Sequence, residues 1–208
     1  MSSISIIGTG NMARTIGTLA VSGGNTVEVM GRDQSKAADL AKALGGSATT
    51  GEWGTAPAGD IVIVALLYDS VVPVVAQYAD ALAGKIIVDI SNPFNPEADG
   101  LATREDTSIA QEAAKAAPAS ASVVKAFNTI FRHVLENGRP LDVFIAGDNA
   151  QAKAGVQAFV ESLGLRPLDV GGLKMAHWLE GAGLVVMGLA RHGLGNWDLA
   201  LGVTEFHG

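Results

Sequence analysis

Apolar positions along this chain follow two rhythms that alternate from its first residues onward. Ile4, Ile6 and Ile7 form a short apolar run, and Met12, Ile16 and Leu19 then recur at helical spacing. The exchange repeats downstream. Thr26–Met30 reads as a second strand, Gln34–Leu44 as a helix closed by Gly45 and Gly46, and 47–50 as a short third strand. Segment 60–67 is almost wholly apolar, which suits a strand buried on both faces. Segments 85–90, 122–127, 142–146 and 166–170 complete the predicted strands. Between the last two, Val156, Phe159, Val160 and Leu163 recur with the spacing of one helix face, and Gly164 is placed to cap it. Strands alternating with helices predict an α/β fold: a doubly wound, mostly parallel sheet with right-handed connections.

Past Gly171 the rhythm is lost. Segment 173–194 is apolar nearly all round, so as a helix it would be buried on most sides, either in its own core or as an arm against a second subunit. The expected division is 1–171 for the sheet domain and 172–208 for a short C-terminal helical segment.

The junction of the first strand and first helix carries the clearest chemistry. Gly8-Thr9-Gly10-Asn11-Met12-Ala13 fits G-x-G-x-x-A between a strand and a helix, the fingerprint of a dinucleotide-binding Rossmann sheet. The first glycine permits the tight turn, the second lets a pyrophosphate approach, and the small Ala13 allows close packing of helix on strand. The helix start then offers its N–H groups to phosphate. A turn of this kind without ligand is the alternative. The second strand ends without the acidic residue that would bind ribose hydroxyls. Arg32 stands there, with Ser35 and Lys36 following and Thr9 within reach, a set suited to a 2′-phosphate and hence to NADP(H). The alternative for Arg32 and Lys36 is a solvated surface pair. Ligands of such sheets bind at the carboxyl ends of strands. That adds Ala65, Leu66 and Leu67, then Asn92 and Pro93, then Ala126 and Asn128, whose amide can donate and accept at once.

Composition narrows the remaining classes. Over 208 residues, 48 % are hydrophobic and only 17 % charged, which favours a well-buried protein with some surface covered by a partner subunit. A net charge of −7 and the lack of a basic patch argue against nucleic acid. With no Cys there is no disulfide or thiol chemistry. No export signal or membrane-spanning apolar run is evident, so a cytoplasmic location is expected. The histidines, at 133, 177, 192 and 207, lack metal-ligand spacing, and no G-x-S-x-G elbow occurs. No metal and no acid–base set is therefore expected.

The segments GTGNMA, GRDQSK, VVKAFNTI, FIAGDNAQAK, GLRPLDVGGL and GLARHGLGNWDLALGV resemble the NADP-dependent oxidoreductases of coenzyme F420, a deazaflavin, over almost the whole chain. LAGKIIVDISNPF with VVKAFNTI is also similar to the cytosolic reductase domain of six-transmembrane metalloreductases, which pass electrons from NADPH to a flavin. The resemblance implies NADP(H) on the glycine turn and the Arg32/Lys36 pair. It also implies F420, FMN or FAD as co-substrate, stacked on the nicotinamide in a pocket partly made by the C-terminal helix. Leu184, Met187 and Leu189 are expected to flank that ring, with Asn128 orienting it, and a homodimer is expected through the same helix. The resemblance departs at Asn128, where the F420 enzymes commonly carry His and the metalloreductase domains carry Asn. The opening I-x-G-T-G-N-M-A is also similar to pyrroline-5-carboxylate reductases, which makes an imine reductase one alternative. A non-catalytic NADPH-binding redox sensor is another.

Overall fold

The computed structural model describes residues 1–206; His207 and the last part of the expected C-terminal segment lie outside the described residues. An eight-stranded sheet forms the frame, in the order β3-β2-β1-β4-β5-β6-β7-β8. Its strands are β1 (Ser3–Ile7), β2 (Thr26–Met30), β3 (Thr49–Thr50), β4 (Ile61–Val64), β5 (Ile86–Asp89), β6 (Ser122–Lys125), β7 (Asp142–Gly147) and β8 (Arg166–Gly171). The helices are α1 (Asn11–Ser22), α2 (Gln34–Leu44), α3 (Tyr68–Tyr78), α4 (Ile109–Ala116), α5 (Arg132–Glu136), α6 (Ala150–Ser162) and α7 (Ala176–Gly188). The doubly wound, mostly parallel sheet expected from the alternating rhythm is thus present. Strands β1 to β6 are mutually parallel. The reversal comes at β7, which pairs antiparallel with β6 through Val124↔Gly147 and Lys125↔Ala146 only. Because only those ends overlap, the start of β7 projects about 13 Å past β6 at the usual rise per residue, on the side where the parallel strands end.

The apolar runs split by pleat. Ile4, Ile6, Ile61, Ile63, Val88 and Val124 enter one core with α1, α2 and α6. Ile7, Val62, Val64, Ile87 and Val123 enter the other with α3, α4 and the start of α7. Both faces are covered, which is why these strands read as continuous apolar runs rather than as alternating ones. Strand four is shorter than its apolar run: 65–67 have left the sheet and lead into α3, although the Ala65 N–H still donates to the Ile7 carbonyl at 2.9 Å.

The C-terminal segment differs more from expectation. It is a single 3₁₀ turn (Leu173–Met175), then α7, then a wide π turn (Leu189–Gly193). It is buried on one side only, through Ala176, Leu179, Glu180, Gly183 and Val186, while Trp178 is 66 % and Val185 58 % exposed. The helix crosses the ends of the strands instead of lying between two layers, so it has one face to bury. Beyond it the chain runs extended beside β7 and β8. Ile130 bridges Ala200, and the Val203 N–H donates to the Asp142 carboxylate at 2.7 Å. Arg166 grips that carboxylate with two bonds, of 2.6 and 2.7 Å, and holds it below the usual carboxylate range.

One buried charge cluster fastens α7 to the sheet. Lys125, the last residue of β6, has no solvent exposure. Its ammonium donates to Asp89 Oδ2 at 2.8 Å, to the Ser91 carbonyl at 2.6 Å and to Glu180 Oε1 at 2.8 Å, so all three N–H bonds are used. Glu180 Oε1 also accepts from the Ile109 N–H, at the start of α4, at 3.0 Å. Both carboxylates are fully buried, and Glu180 Oε2 has no partner among the described residues. Burial pushes the Glu180 carboxyl up, against the pull of Lys125.

Lys125→Met strands two buried carboxylates, and should cost about 3–5 kcal/mol in urea unfolding. The raised Glu180 carboxyl predicts a pH signature. The native state holds that proton more tightly than the unfolded state, whose carboxyl titrates near 4.5. Native stability is therefore lost as pH rises from there through the raised native value. Glu180→Gln cannot titrate, so its stability relative to the parent should climb as pH rises above about 4.5. A flat difference would show that the native carboxyl is not raised.

Candidate functional site

The sheet order makes a crevice. From β1 the chain goes to β2 and β3 on one side, whereas β4 onward lies on the other, so the carboxyl ends of β1 and β4 flank a topological switch point. The turn after β1 is shaped by that neighbour. Gly8 has φ +130°, and a Cβ there would sit 2.4 Å from the Ala65 carbonyl oxygen. Gly10 is the opposite case: its backbone is extended, and a Cβ would meet nothing within 4 Å. Space is therefore kept over Gly10. Helix α1 starts there with no side-chain cap, whereas α2, α4 and α6 are capped by Asp33, Ser108 and Asn149. The N–H groups of Asn11, Met12 and Ala13 have no intrahelical acceptor at this position, and an anion of phosphate size fits the donors and the clearance.

Arg32 follows β2 and is exposed. Thr9 lies against the same corner, since a Cβ on Gly31 would come within 2.8 Å of the Thr9 methyl. Lys36 is 3.7 Å from Asp33 in a well-exposed pair, a contact of little energy that leaves the ammonium free to swing. Arg32 has no ion-pair partner among the described residues. It lines a cavity of about 210 Å³ with Trp53, Leu66, Asp69 and Gln77. Ser35 is exposed on the first turn of α2 and does not line the cavity.

A second cavity, of about 170 Å³, lies at the ends of β5 and β6, between Asn92, Phe94, Asn128 and Phe131 on one side and Gly183 and Met187 of α7 on the other. Its polar groups are interlocked. The Asn128 amide donates to Asn92 Oδ1 at 2.9 Å and to the Leu179 carbonyl at 2.8 Å, and the Asn92 amide donates to the Asn128 carbonyl at 2.7 Å. Asn128 Oδ1 is buried and accepts from no described residue. Asn128, which carries this unmet acceptor, is one of the few polar residues lining a small, mostly apolar pocket. Phe127, just before it, is left-handed at φ +62° and fully buried, its ring edge-on to Phe159 at 6.3 Å. Helix α7 approaches unusually closely: a Cβ on Gly183 would be 3.0 Å from Asn92 Oδ1 and 3.3 Å from the Asn128 carbonyl oxygen.

Other expected site residues fall elsewhere. Leu67 is 76 % exposed beside the crevice. Ala126 has no exposed surface, because its side chain is part of the core, and Pro93 is also buried. Of the three helix residues expected to flank a ring, Met187 lines the second cavity, with Val186 beside it, whereas Leu184 and Leu189 do not. Trp53, Phe94 and the Lys125 cluster were not anticipated. The signal for the cluster was three charges inside apolar segments: Asp89 and Lys125 closing runs of Ile and Val, and Glu180 within the apolar helix. The wall residues Trp53 and Phe94 sit in loops with no periodic pattern to mark them.

The two glycines should separate cleanly by substitution. Gly8→Ala forces an L side chain into a strained backbone and against a carbonyl, at a cost of roughly 2 kcal/mol or more. Gly10→Val loses only N-cap preference, about 1 kcal/mol or less, because its side chain enters open space. Thermal or urea unfolding reads the difference; equal losses would place Gly10 against protein instead.

Residues 3–93 match the family model described as NADP oxidoreductase, coenzyme F420-dependent. The chain is 36 % identical over 184 residues to metalloreductase STEAP3 of Rattus norvegicus, covering 85 % of this chain and 35 % of that protein. It is 30 % identical over 139 residues to the F420-dependent NADP reductase of Methanocaldococcus jannaschii, covering 63 % of this chain and 62 % of that protein. The chain thus spans less than two thirds of either relative. A solved structure from Arthrobacter sp. FB24, described as a candidate F420-dependent NADP reductase, superimposes with a TM-score of 0.86 at 24 % identity, covering 99 % of this chain and 100 % of that one. That likeness is one of fold. Over residues 3–93, the chain is similar to the family of coenzyme F420-dependent NADP oxidoreductases.

Proposed function

We infer that the protein transfers a hydride between NADP(H) and a flavin-like ring. Deazaflavin F420 is the first choice of acceptor, and free FMN or FAD the second. The observation that carries the reading is the row of features along one edge of the sheet. The Arg32 cavity after β2, the glycine turn after β1, Leu66 and Leu67 after β4, and the Asn92–Asn128 cavity after β5 and β6 follow one another in strand order. A dinucleotide laid along that edge puts its 2′-phosphate at Arg32, with Thr9, Ser35 and Lys36 in support. Its pyrophosphate lies over Gly10 at the Asn11 and Met12 amides, and its nicotinamide lies toward Leu66, Leu67 and Asn92. Asn128 Oδ1 then accepts from an amide or imide N–H of either ring.

The bound cofactors supply the redox chemistry of such a transfer. The protein's part is to hold two rings face to face with the reacting atoms about 3–3.5 Å apart and to keep water out. Phe94, Val186 and Met187 give the apolar walls, and the locked Asn92–Asn128 pair gives a fixed polar edge. F420 is favoured by the named activity of the archaeal relative. FMN and FAD stay in view because Asn128 replaces the His that F420 enzymes commonly carry. No helix among the described residues is long and apolar enough to cross a membrane, and we place the enzyme in the cytoplasm.

Eight large apolar side chains of the C-terminal segment are exposed: Met175, Trp178, Val185, Leu189, Leu194, Trp197, Val203 and Phe206. A patch of this kind is most simply covered by a second copy across a two-fold axis. Light scattering at micromolar concentration should give a dimer, and Trp178→Glu should shift it to monomer. A parent protein that scatters as a monomer would end the dimer reading.

Arg32→Ala should weaken NADPH binding about tenfold or more, the worth of a charge-assisted phosphate contact, and leave NADH nearly unchanged. Gly10→Val should abolish binding of both. Fluorescence titration measures each, and equal weakening by Arg32→Ala would reject the phosphate role. The reaction itself is tested by NADPH oxidation with F420, FMN and FAD. Reduction of a pyrroline or small carbonyl compound, and of none of these rings, would overturn the assignment.

A further inference from the structure

The Lys125 cluster lies outside both cavities and none of its members enters the hydride-transfer scheme, yet it places three ionisable groups where none has solvent exposure. Two carboxylates and one ammonium sit in the dry interior, where hydrophobic residues of similar volume would often be at least as stable. Stability alone therefore gives a weak account of it. Its geometry gives a better one. The three N–H bonds of Lys125 reach three separate parts of the chain: the end of β5 through Asp89, the loop into Asn92 through the Ser91 carbonyl, and α7 through Glu180. Asp89 Oδ1 in turn accepts from the Ser91 N–H at 2.9 Å, so the loop is held at both its amide and its carbonyl one residue before Asn92. On α7, Glu180 is one helical turn before Gly183 and about two before Met187, the residues that form the far wall of the Asn92–Asn128 cavity. Glu180 is bound a second time by the start of α4, so the helix cannot pivot about a single contact.

We propose that Lys125 and Glu180 are positioning residues for the acceptor side of the site, acting as an internal latch that sets the gap between α7 and the Asn92–Asn128 edge. This rests on the reading of that cavity as the place where the acceptor binds. The glycine turn and Arg32 belong to the other end of the sheet edge, so the latch governs acceptor recognition and leaves the phosphate end of the dinucleotide untouched. Gly183 marks how fine the setting is, since a single added methyl would press on both Asn92 and the Asn128 backbone.

The test compares Glu180→Leu with Glu180→Gln, and Gly183→Ala serves as a displacement of α7 that leaves the cluster intact. Each is assayed for NADPH affinity by fluorescence, for KM and kcat with F420 and FMN, and for hydrogen exchange of the amides of 176–188. Glutamine keeps an oxygen for Lys125 and the Ile109 N–H, so Glu180→Gln should keep the acceptor KM within about threefold of the parent. Glu180→Leu should raise that KM about tenfold or more, keep NADPH affinity within about twofold, and lose exchange protection over 176–188 ahead of β5 and β6. A purely structural role would lower the amount of active enzyme and leave KM alone. Gly183→Ala should reproduce the KM shift in a fully folded protein, and decides the matter if Glu180→Leu does not fold. NADPH affinity and acceptor KM moving together would overturn the latch, as would an unchanged KM in a protein whose 176–188 amides have lost protection. If the parent reduces neither ring, the reaction assignment fails. Exchange then judges the latch: selective loss of protection in Glu180→Leu supports it, and unaltered protection refutes it.

Discussion

Burying an ammonium is tolerable only if every one of its hydrogens is taken and its charge is matched nearby. Lys125 satisfies both conditions at the point where β5, β6, α4 and α7 meet. The rest of the carboxyl-end architecture depends on that requirement. Asp89 must close β5, the Ser91 carbonyl must turn inward, and α7 must lie close enough to bring Glu180 down. The Asn92–Asn128 cavity is what remains between parts fixed in this way. Asn128 reaches Leu179 and Asn92 at once only because α7 and the β5 loop have been drawn together.

The parallel half of the fold was legible because its physics is local. Runs such as Ile61–Val64 are apolar at every position since both pleat faces are covered, and the glycine turn names itself by position between strand and helix. Arg32 was readable for the same reason: it ends a strand, and strand ends in this topology border a ligand crevice. The reversal at β7 was not readable, because 142–147 has the same apolar pattern whichever way it runs and the pairing partner is set by tertiary geometry. Nor does the composition of 173–194 say how many of its faces meet protein. An apolar helix across strand ends and an apolar helix between layers have the same sequence signature, and only the first leaves Trp178 and Val185 in the open.

The site residues divide along a similar line. Gly8 and Gly10 share a motif, but the structure separates them: a Cβ at Gly8 would collide with the neighbouring backbone, whereas a Cβ at Gly10 would enter open space. Ala126 illustrates the limit of strand-end reasoning. Strand alternation would put Ala126 and Asn128 on one face, but the left-handed Phe127 between them breaks the alternation, so Ala126 enters the core while Asn128 borders the cavity.

That left-handed residue has a consequence for recognition. A bulky side chain in this backbone region carries a conformational cost of order 1–3 kcal/mol, sustained here by burial of the Phe127 ring against Phe159. The ring acts as a rivet: once it is seated, the peptide that follows has one orientation, and the Asn128 carbonyl and amide are presented in that orientation before any ligand arrives. The expense of ordering this edge falls on folding and not on binding. On the proposed reading of this cavity, a ligand N–H that meets the edge would lose only its own freedom, and a ring whose donor lies elsewhere would find a surface that does not yield.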